Sequence, residues 1–291
     1  MKRSHTMSRR AALTAIAGTA AATGILRSAA AQTTETPALK GRIKQSVSQW
    51  CYGKIPLDDL CREAKAMGLQ GIDLLDPKDW ATVKSHGLVV AMPNGPGPIH
   101  KGWNDPANHD SLTEGAEKRL QEVADAGLAS MIVFSGNRRG MSDDEGLKNC
   151  VKGLKRIMPL AEKLNVNVVM ELLNSKRDHK DYMCDHTAWG VALARELGSE
   201  RFKLLYDVYH MQIMEGDVIN TITENIAYIG HIHTGGVPGR HEIDETQELN
   251  YRRICQAIAD AGFTGFVAHE FVPKGPDPLA SLRQAVAICD V

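Results

Sequence analysis

The feature that most constrains this chain is a series of eight short apolar runs spread over residues 43–271. They are rich in Val, Ile and Leu and occupy residues 43–49, 71–75, 88–93, 130–136, 166–172, 202–208, 228–234 and 265–271. Between them lie longer segments whose apolar residues recur at helical spacing, as in "PLDDLCREAKAMG". This alternation predicts buried parallel strands covered by amphipathic helices.

Eight strand–helix units predict a parallel sheet closed into a (β/α)8 barrel, the TIM barrel fold. The chain has 291 residues, and without its N-terminal segment it retains roughly 260, the usual size of one such barrel. An open doubly wound sheet is the alternative, but no G-x-G-x-x-G motif follows the first apolar run.

The N-terminal segment has the pattern of an export signal. It reads "MSRRAALTAIAGTAAATGILRSAAAQ", with Arg9 and Arg10 ahead of an uncharged Ala- and Gly-rich stretch and small residues around Ala31. We therefore predict a twin-arginine signal peptide and linker over residues 1–35, a single barrel domain over 36–291, and export to the periplasm. The alternative is a disordered or membrane-anchoring N-terminus. No stable membrane insertion is expected after cleavage, because the apolar stretch is too short for a confident span.

The charge balance and the cysteine pattern each limit what the chain can be. The chain carries 34 basic and 35 acidic residues without a long single-sign run, so a nucleic-acid partner is not expected.

Six cysteines are scattered without a C-x-x-C pair. They are interpreted as buried apolar residues, with a disulfide in an oxidising periplasm as the alternative.

Four successive apolar runs each have a polar residue at or near their carboxyl end. Strand five is predicted to end in Glu171, strand six in Asp207, strand seven in His233 and strand eight in Glu270. Their separations of 36, 26 and 37 residues are each close to one strand–helix unit. Because barrel active sites lie at the carboxyl ends of the strands, three carboxylates and one imidazole should meet at one mouth.

Converging carboxylates repel one another and raise one another's pKa unless a cation lies between them. We therefore predict one divalent metal ion, bound by Glu171, Asp207, His233 and Glu270. Mostly oxygen ligands with one imidazole suit Mn²⁺ or Mg²⁺, with Co²⁺ and Zn²⁺ as alternatives. The plainer interpretation of each residue is a polar strand end that caps a helix or pairs with a lysine.

Two further residues are predicted to contact substrate. His210 follows Asp207 by three residues, near the metal without ligating it, and is assigned to a substrate hydroxyl or carbonyl rather than to loop packing. Arg240 lies in the Gly-rich loop "HTGGVPGRHEID" and offers a forked, permanently charged donor to an oxygen-rich or carboxylated small molecule. The alternative for Arg240 is a salt bridge within its own loop, to Glu242, Asp244 or Glu245.

The polar loop "ELLNSKRDHKDYMCDH" after strand five offers a second candidate cluster. His179, Asp185 and His186 are residue types that bind metals. A solvated loop with a helix cap explains them more simply.

These residues and motifs resemble the xylose isomerase-like barrels, and within them the proteins named hydroxypyruvate isomerase. The similarity runs through "SVSQWCYG", "GIDLLDP", "VVMELLN", "LLYDVYH", "GHIHTGGVPGR" and "AHEF". It implies that Glu171, Asp207, His233 and Glu270 hold the divalent metal, and that Glu171 and Glu270 are the acid/base pair. His210 and Arg240 match substrate contacts of related ketose epimerases.

The resemblance implies an intramolecular oxidoreductase, a metal-dependent aldose–ketose isomerase for a small sugar or hydroxy-keto acid that works through an enediolate.

The sequence departs from the hydroxypyruvate isomerases in two ways. "HIHTGG" is closer to the ligand set of ketose epimerases, and hydroxypyruvate isomerases usually lack an export signal. A ketose 3-epimerase is therefore the first alternative. An exported, non-catalytic sugar-binding protein is the alternative from another class, and a metal-dependent endonuclease or lyase is disfavoured by the near-neutral charge. Homo-oligomers are common in the family, and the sequence leaves self-association open.

Overall fold

In the computed structural model, which describes residues 39–291, each of the eight predicted apolar runs contains one β-strand. The strands are short and buried, because both of their faces are covered. They are β1 Lys44–Ser48, β2 Gly71–Leu75, β3 Val89–Pro93, β4 Ser130–Val133, β5 Asn167–Glu171, β6 Phe202–Asp207, β7 Ile229–Thr234 and β8 Phe266–His269.

Ten α-helices are described, and at least one follows every strand. They are α1 Leu57–Ala66, α2 Pro77–Ser85, α3 His109–Asp125, α4 Asp143–Leu154, α5 Met158–Leu164, α6 Thr187–Leu197, α7 Val208–Met214, α8 Val218–Asn225, α9 Tyr251–Asp260 and α10 Pro278–Cys289. In α1 the buried face is formed by Leu60, Cys61 and Ala64, which recur at helical spacing. Gly68 ends the helical segment with φ +88°, a backbone conformation that glycine adopts without strain.

All strand pairs are parallel, in the order β3-β2-β1-β8-β7-β6-β5-β4, which curls into a nearly closed barrel. The predicted (β/α)8 fold is thus confirmed, and the doubly wound alternative is wrong. Within the described residues no regular ladder joins β3 to β4. The loop after β3 fills that seam, where the backbone N–H groups of Trp103 and Asn104 donate to Phe134 and Ser135 just beyond β4.

The barrel interior is only partly apolar. Met92, Ile132, Val169 and Leu205 form a small cluster there, one from each of β3 to β6. The larger core lies between the strands and the helices. Other buried positions on the strands are polar, and buried polar groups are stable only when they have hydrogen-bonding or charged partners. They include Gln45, Asp73, His231, His233 and His269.

The predicted signal peptide and linker over residues 1–35 lie outside the described residues. In the part of the chain that is described, no helix has the length and apolar character needed to cross a membrane. All six cysteines are free, and five of them are buried, as expected for apolar packing.

Candidate metal centre

The four residues predicted at the strand ends meet at the carboxyl end of the barrel. Glu171 and Asp207 are the last residues of β5 and β6, His233 is the penultimate residue of β7, and Glu270 directly follows β8. Asp207 and His233 are register partners in adjacent strands. The four side chains are buried, and one ligand atom from each lies within 4.8 Å of all the others. Sequential strand order therefore brings three carboxylates and one imidazole together.

The ring of His233 is oriented for coordination rather than for hydrogen bonding. Its Nδ1 lies 2.6 Å from Glu270 Oε2 and 3.5 Å from Glu171 Oε1. Among the described residues, neither ring nitrogen has a hydrogen-bond partner with acceptable geometry. A buried nitrogen that lies between two carboxylates, without a well-aligned hydrogen bond to either, is well placed to be a metal ligand. Three oxygens and one nitrogen fit Mn²⁺, Mg²⁺, Co²⁺ or Zn²⁺.

The pKa values of the three carboxyl groups move in opposite directions. Burial, followed by the charge on Glu270, raises the pKa of Glu171. Burial raises the pKa of Asp207 to about 7, although Arg240 opposes it. Burial also opposes ionisation of Glu270, but Arg240 and His233 outweigh it and hold the pKa of Glu270 well below its ordinary value. A divalent cation at the cluster would favour the ionised form of all three groups.

Arg240 covers this cluster from the loop after β7. Its Nη2 lies 2.5 Å from Glu270 Oε2 and 3.1 Å from Asp207 Oδ2. The guanidinium lies over the rings of Trp50 and Tyr209, at 5.3 and 5.2 Å from their centroids. Arg240 itself has φ +58° and follows a glycine with φ +96°. The side chain therefore points inward, and none of its described ion pairs is with an acidic residue of its own loop.

The Asp–x–x–His spacing has a local structural cause. The backbone N–H of His210 donates to Asp207 Oδ1 at 3.1 Å, so Asp207 caps the N-terminus of α7. The first turn of the helix brings the fully buried His210 ring back towards the cluster, with its Nε2 3.6 Å from Asp207 Oδ2 and 3.1 Å from Arg240 Nη1. His210 belongs to neither group of candidate ligands. It lies beside the centre, as the spacing indicated.

Two side chains of the site escaped the sequence analysis. Trp50, in the turn after β1, donates from Nε1 to Glu270 Oε1 at 2.6 Å. Asp73, on β2, places Oδ2 2.5 Å from His231 Nε2 and 3.4 Å from His233 Nε2. The signal for Trp50 was its position just beyond a strand end, and the signal for Asp73 was a lone carboxylate within an apolar run.

Asp73, His231 and His233 also form a second group of candidate ligands. The 2.5 Å separation of Asp73 from His231 is that of a direct charge-assisted hydrogen bond. We therefore interpret Asp73 as the hydrogen-bond partner of His231, with His233 Nε2 3.4 Å from the same carboxylate oxygen.

The second cluster that the sequence offered as an alternative in the loop after β5 does not form. His186 Nδ1 lies 2.8 Å from Asp185 Oδ1, and Asp185 also accepts from Arg138 at 3.0 Å. His179 instead packs edge-on against His210, with 5.1 Å between the ring centroids. Neither candidate ligand group among residues 39–291 includes these three residues.

A large cavity of the described residues lies away from the candidate metal centre. It has a volume of about 860 Å³ and opens at the amino ends of the strands, where Lys44, Lys203, His231 and Phe266 line it. The chemistry-bearing residues lie at the opposite end, where Arg240 closes over them.

Fold and site together define a (β/α)8 barrel with a candidate metal centre at its carboxyl mouth. The model of the xylose isomerase-like TIM barrel family matches residues 61–289. The chain belongs to this family, as its resemblance implied.

Relatives with known names indicate the class of enzyme within this family. The chain is 38% identical to the 2-oxo-tetronate isomerase of Cupriavidus necator over 109 residues, which is 38% of this chain and 41% of that one. It is 25% identical to the hydroxypyruvate isomerase of Escherichia coli over 241 residues, or 75% of this chain and 89% of that one. These relatives are enzymes of the isomerase class.

Solved structures agree on the fold. An AP endonuclease of family 2 from Brucella melitensis superposes with a TM-score of 0.74 at 22% identity, covering 83% of this chain and 96% of that one. A 3-keto-D-glucoside 4-epimerase from E. coli gives 0.69 at 20% identity, covering 84% and 98%. At these identities the likeness shows the barrel alone.

Proposed function

We propose that this protein is a metal-dependent aldose–ketose isomerase that acts on a small sugar or hydroxy-keto acid. The observation that carries the proposal is the convergence of Glu171, Asp207, His233 and Glu270 within 4.8 Å at the carboxyl mouth of the barrel. The hydroxypyruvate and 2-oxo-tetronate isomerases among its relatives support the substrate class.

Those four side chains would hold one divalent ion, Mn²⁺ or Mg²⁺ by preference, with Co²⁺ and Zn²⁺ as alternatives. The ion, when bound, would supply Lewis acidity to adjacent carbonyl and hydroxyl oxygens of the substrate and so acidify the C–H between them.

Glu171 and Glu270 are assigned to proton transfer. Their surroundings push their pKa values apart, upward for Glu171 and downward for Glu270, and such a divergence is typical of acid/base pairs. In the proposal one glutamate removes the substrate proton to give an enediolate, and the other returns a proton to the neighbouring carbon. Trp50 holds Glu270 through its 2.6 Å hydrogen bond.

His210 and Arg240 are assigned to substrate binding. Both reach the rim of the cluster, with 3.1 Å between His210 Nε2 and Arg240 Nη1. Arg240 has to move from its present contacts with Asp207 and Glu270 when an ion and a substrate enter.

Proton exchange tests this proposal. The purified mature protein, loaded with one metal at a time, is incubated in D₂O with hydroxypyruvate, tartronate semialdehyde and a panel of ketoses, and followed by NMR. The proposal predicts metal-dependent deuterium incorporation next to a carbonyl, with an aldose–ketose product. Absence of exchange with every substrate and metal would refute it.

A ketose 3-epimerase is the second candidate, favoured by His233 as the one nitrogen among the four ligands. An epimerase would return the proton to the same carbon from the opposite face, so the product separates the two. Saturable sugar binding without exchange would instead indicate an exported binding protein, a reading that the paired glutamates disfavour.

The proposed location rests on the N-terminal pattern alone. Replacing Arg9 and Arg10 by lysine should retain the protein in the cytoplasm if the twin-arginine route carries it, and unchanged export would contradict that route.

A further inference from the structure

Asn174 is a fully buried amide three residues beyond Glu171, on the segment that leaves β5. Its Oδ1 accepts hydrogen bonds from the backbone N–H groups of Arg177 and Asp178, each at 3.0 Å. Two backbone donors on one end of the amide establish that this end is the oxygen, since an NH₂ group there would face two N–H groups. The orientation of the Asn174 side chain is therefore fixed by its own loop.

The other end of the amide determines the tautomer of His210. Asn174 Nδ2 donates to Asp178 Oδ2 at 2.7 Å and faces His210 Nδ1 at 2.6 Å. An amide nitrogen can only donate, so His210 Nδ1 must accept. A neutral imidazole with an acceptor at Nδ1 carries its proton on Nε2. The opposite tautomer would require rotating the amide and losing its bonds to two backbone groups and one carboxylate.

The N–H group at Nε2 of His210 then has no acceptor among the described residues. Arg240 Nη1 lies 3.1 Å from Nε2, and Nη1 can only donate. Asp207 Oδ2 lies 3.6 Å from Nε2, too far for a hydrogen bond. Among the described residues, two donors thus face the same small volume beside the metal centre. Buried donors are rarely left without an acceptor, so an oxygen from outside the protein is the expected partner.

We propose that Asn174 is a positioning residue that keeps the proton of His210 on Nε2, so that His210 and Arg240 form a two-donor site for one substrate oxygen. Two donors, one of them permanently charged, favour an oxygen that carries or develops negative charge, either a carboxylate oxygen or the carbonyl oxygen that becomes an enediolate oxygen. The identity of the ligand as a substrate oxygen rests on the proposed function. The tautomer of His210 follows from its hydrogen bonds alone and does not depend on that function.

The tautomer is measured first, on the metal-free protein labelled with ¹⁵N-histidine. Long-range ¹H–¹⁵N spectra identify which ring nitrogen carries the proton, and the spectrum of His210→Gln assigns the signals. The wild-type protein should show His210 protonated on Nε2 alone. Asn174→Asp keeps the shape of the side chain but places a carboxylate oxygen opposite both His210 Nδ1 and Asp178 Oδ2. Protonation of Nδ1 would neutralise part of the added negative charge, so Nδ1 should become protonated. Asn104→Asp is the matched control, because Asn104 is also a buried amide and donates to a backbone carbonyl, that of Asn137.

Kinetics then test the two-donor site. Loss of one donor to a developing oxyanion typically lowers kcat by about 10²- to 10³-fold, so Asn174→Asp should lose kcat on this scale. Its affinity for Mn²⁺ should stay at the wild-type value, because Asn174 touches none of the four ligands. Asn104→Asp should change neither quantity.

The outcomes separate the inference from the proposed function. A wild-type His210 protonated on Nδ1, or an Asn174→Asp protein whose His210 tautomer is unchanged, would overturn the inference even if the enzyme is active. A wild-type protein that has the Nε2 tautomer but exchanges no substrate proton would overturn the proposed function and leave the tautomer account standing. If Asn174→Asp fails to fold, the wild-type spectrum alone decides the tautomer.

Discussion

Glu171 and Glu270 are chemically identical side chains, and the barrel gives them opposite tendencies to ionise. Burial dominates at Glu171, while at Glu270 the charges of Arg240 and His233 outweigh burial. The difference arises from which strand each residue ends, because the loop that carries Arg240 reaches Glu270. Residue type alone therefore does not determine the role of a carboxylate in this site.

Replacing either glutamate by glutamine should reduce turnover while the barrel stays folded. A positioned acid or base typically contributes about 10²- to 10⁴-fold, so Glu171→Gln and Glu270→Gln should each lose at least about 10²-fold in kcat. Deuterium exchange measures the loss, and circular dichroism checks the fold. Glu215→Gln is the control, because Glu215 only caps α6 through Thr187. Near-normal turnover in either site variant would contradict the acid/base assignment.

Metal affinity should depend on pH in a direction set by Asp207 and Glu171. Both carboxyls have raised pKa values in the metal-free protein, about 7 for Asp207, and carboxylates bind metal only when ionised. Protons therefore compete with the ion at low pH. Affinity should rise with pH, by about tenfold per unit for each proton released below the pKa. Calorimetric titration between about pH 6 and 8 tests this, and an affinity that is flat or falls with pH would contradict it.

At the scale of elements, the strands could be predicted from the sequence and several cross-barrel contacts could not. Apolar runs and strand-end residues are local signals, so the positions of Glu171, Asp207, His233 and Glu270 were predictable. Asp73 meets His231 across 158 residues of sequence. A bulge in β2 and a left-handed Leu74, with φ +63°, accompany that contact. Leucine rarely adopts this conformation, so no sequence rule indicates it.

The seam between β3 and β4 gives a prediction at the same scale. A Cβ on Gly95 would lie 1.8 Å from the carbonyl oxygen of Ile132, which is backbone and cannot swing aside. Gly95→Ala should therefore lower the free energy of unfolding by at least about 1–3 kcal/mol, the usual cost of overpacking. Chemical denaturation measures it. Gly53→Ala is the control, because its nearest atom would be 3.4 Å away. Equal stability of the two variants would show that the seam is not closely packed.

At the scale of the molecule, one barrel places its candidate chemistry at the carboxyl mouth and a cavity of about 860 Å³ at the other end. The carboxyl mouth was predictable because parallel strands all end there. The closure of that mouth by Arg240 was not, because it depends on a loop with left-handed residues and on two aromatic rings from distant segments. The sequence thus indicated which residues meet, and the structure shows how their charges are balanced.

If the four strand-end residues hold one divalent ion, that ion should be visible by anomalous diffraction from a crystal of the protein grown with Mn²⁺. We expect a single strong peak within coordination distance of Glu171, Asp207, His233 and Glu270, with the Arg240 guanidinium displaced from Asp207. A map without a peak there, or with its main peak between Asp73, His231 and His233, would contradict this assignment.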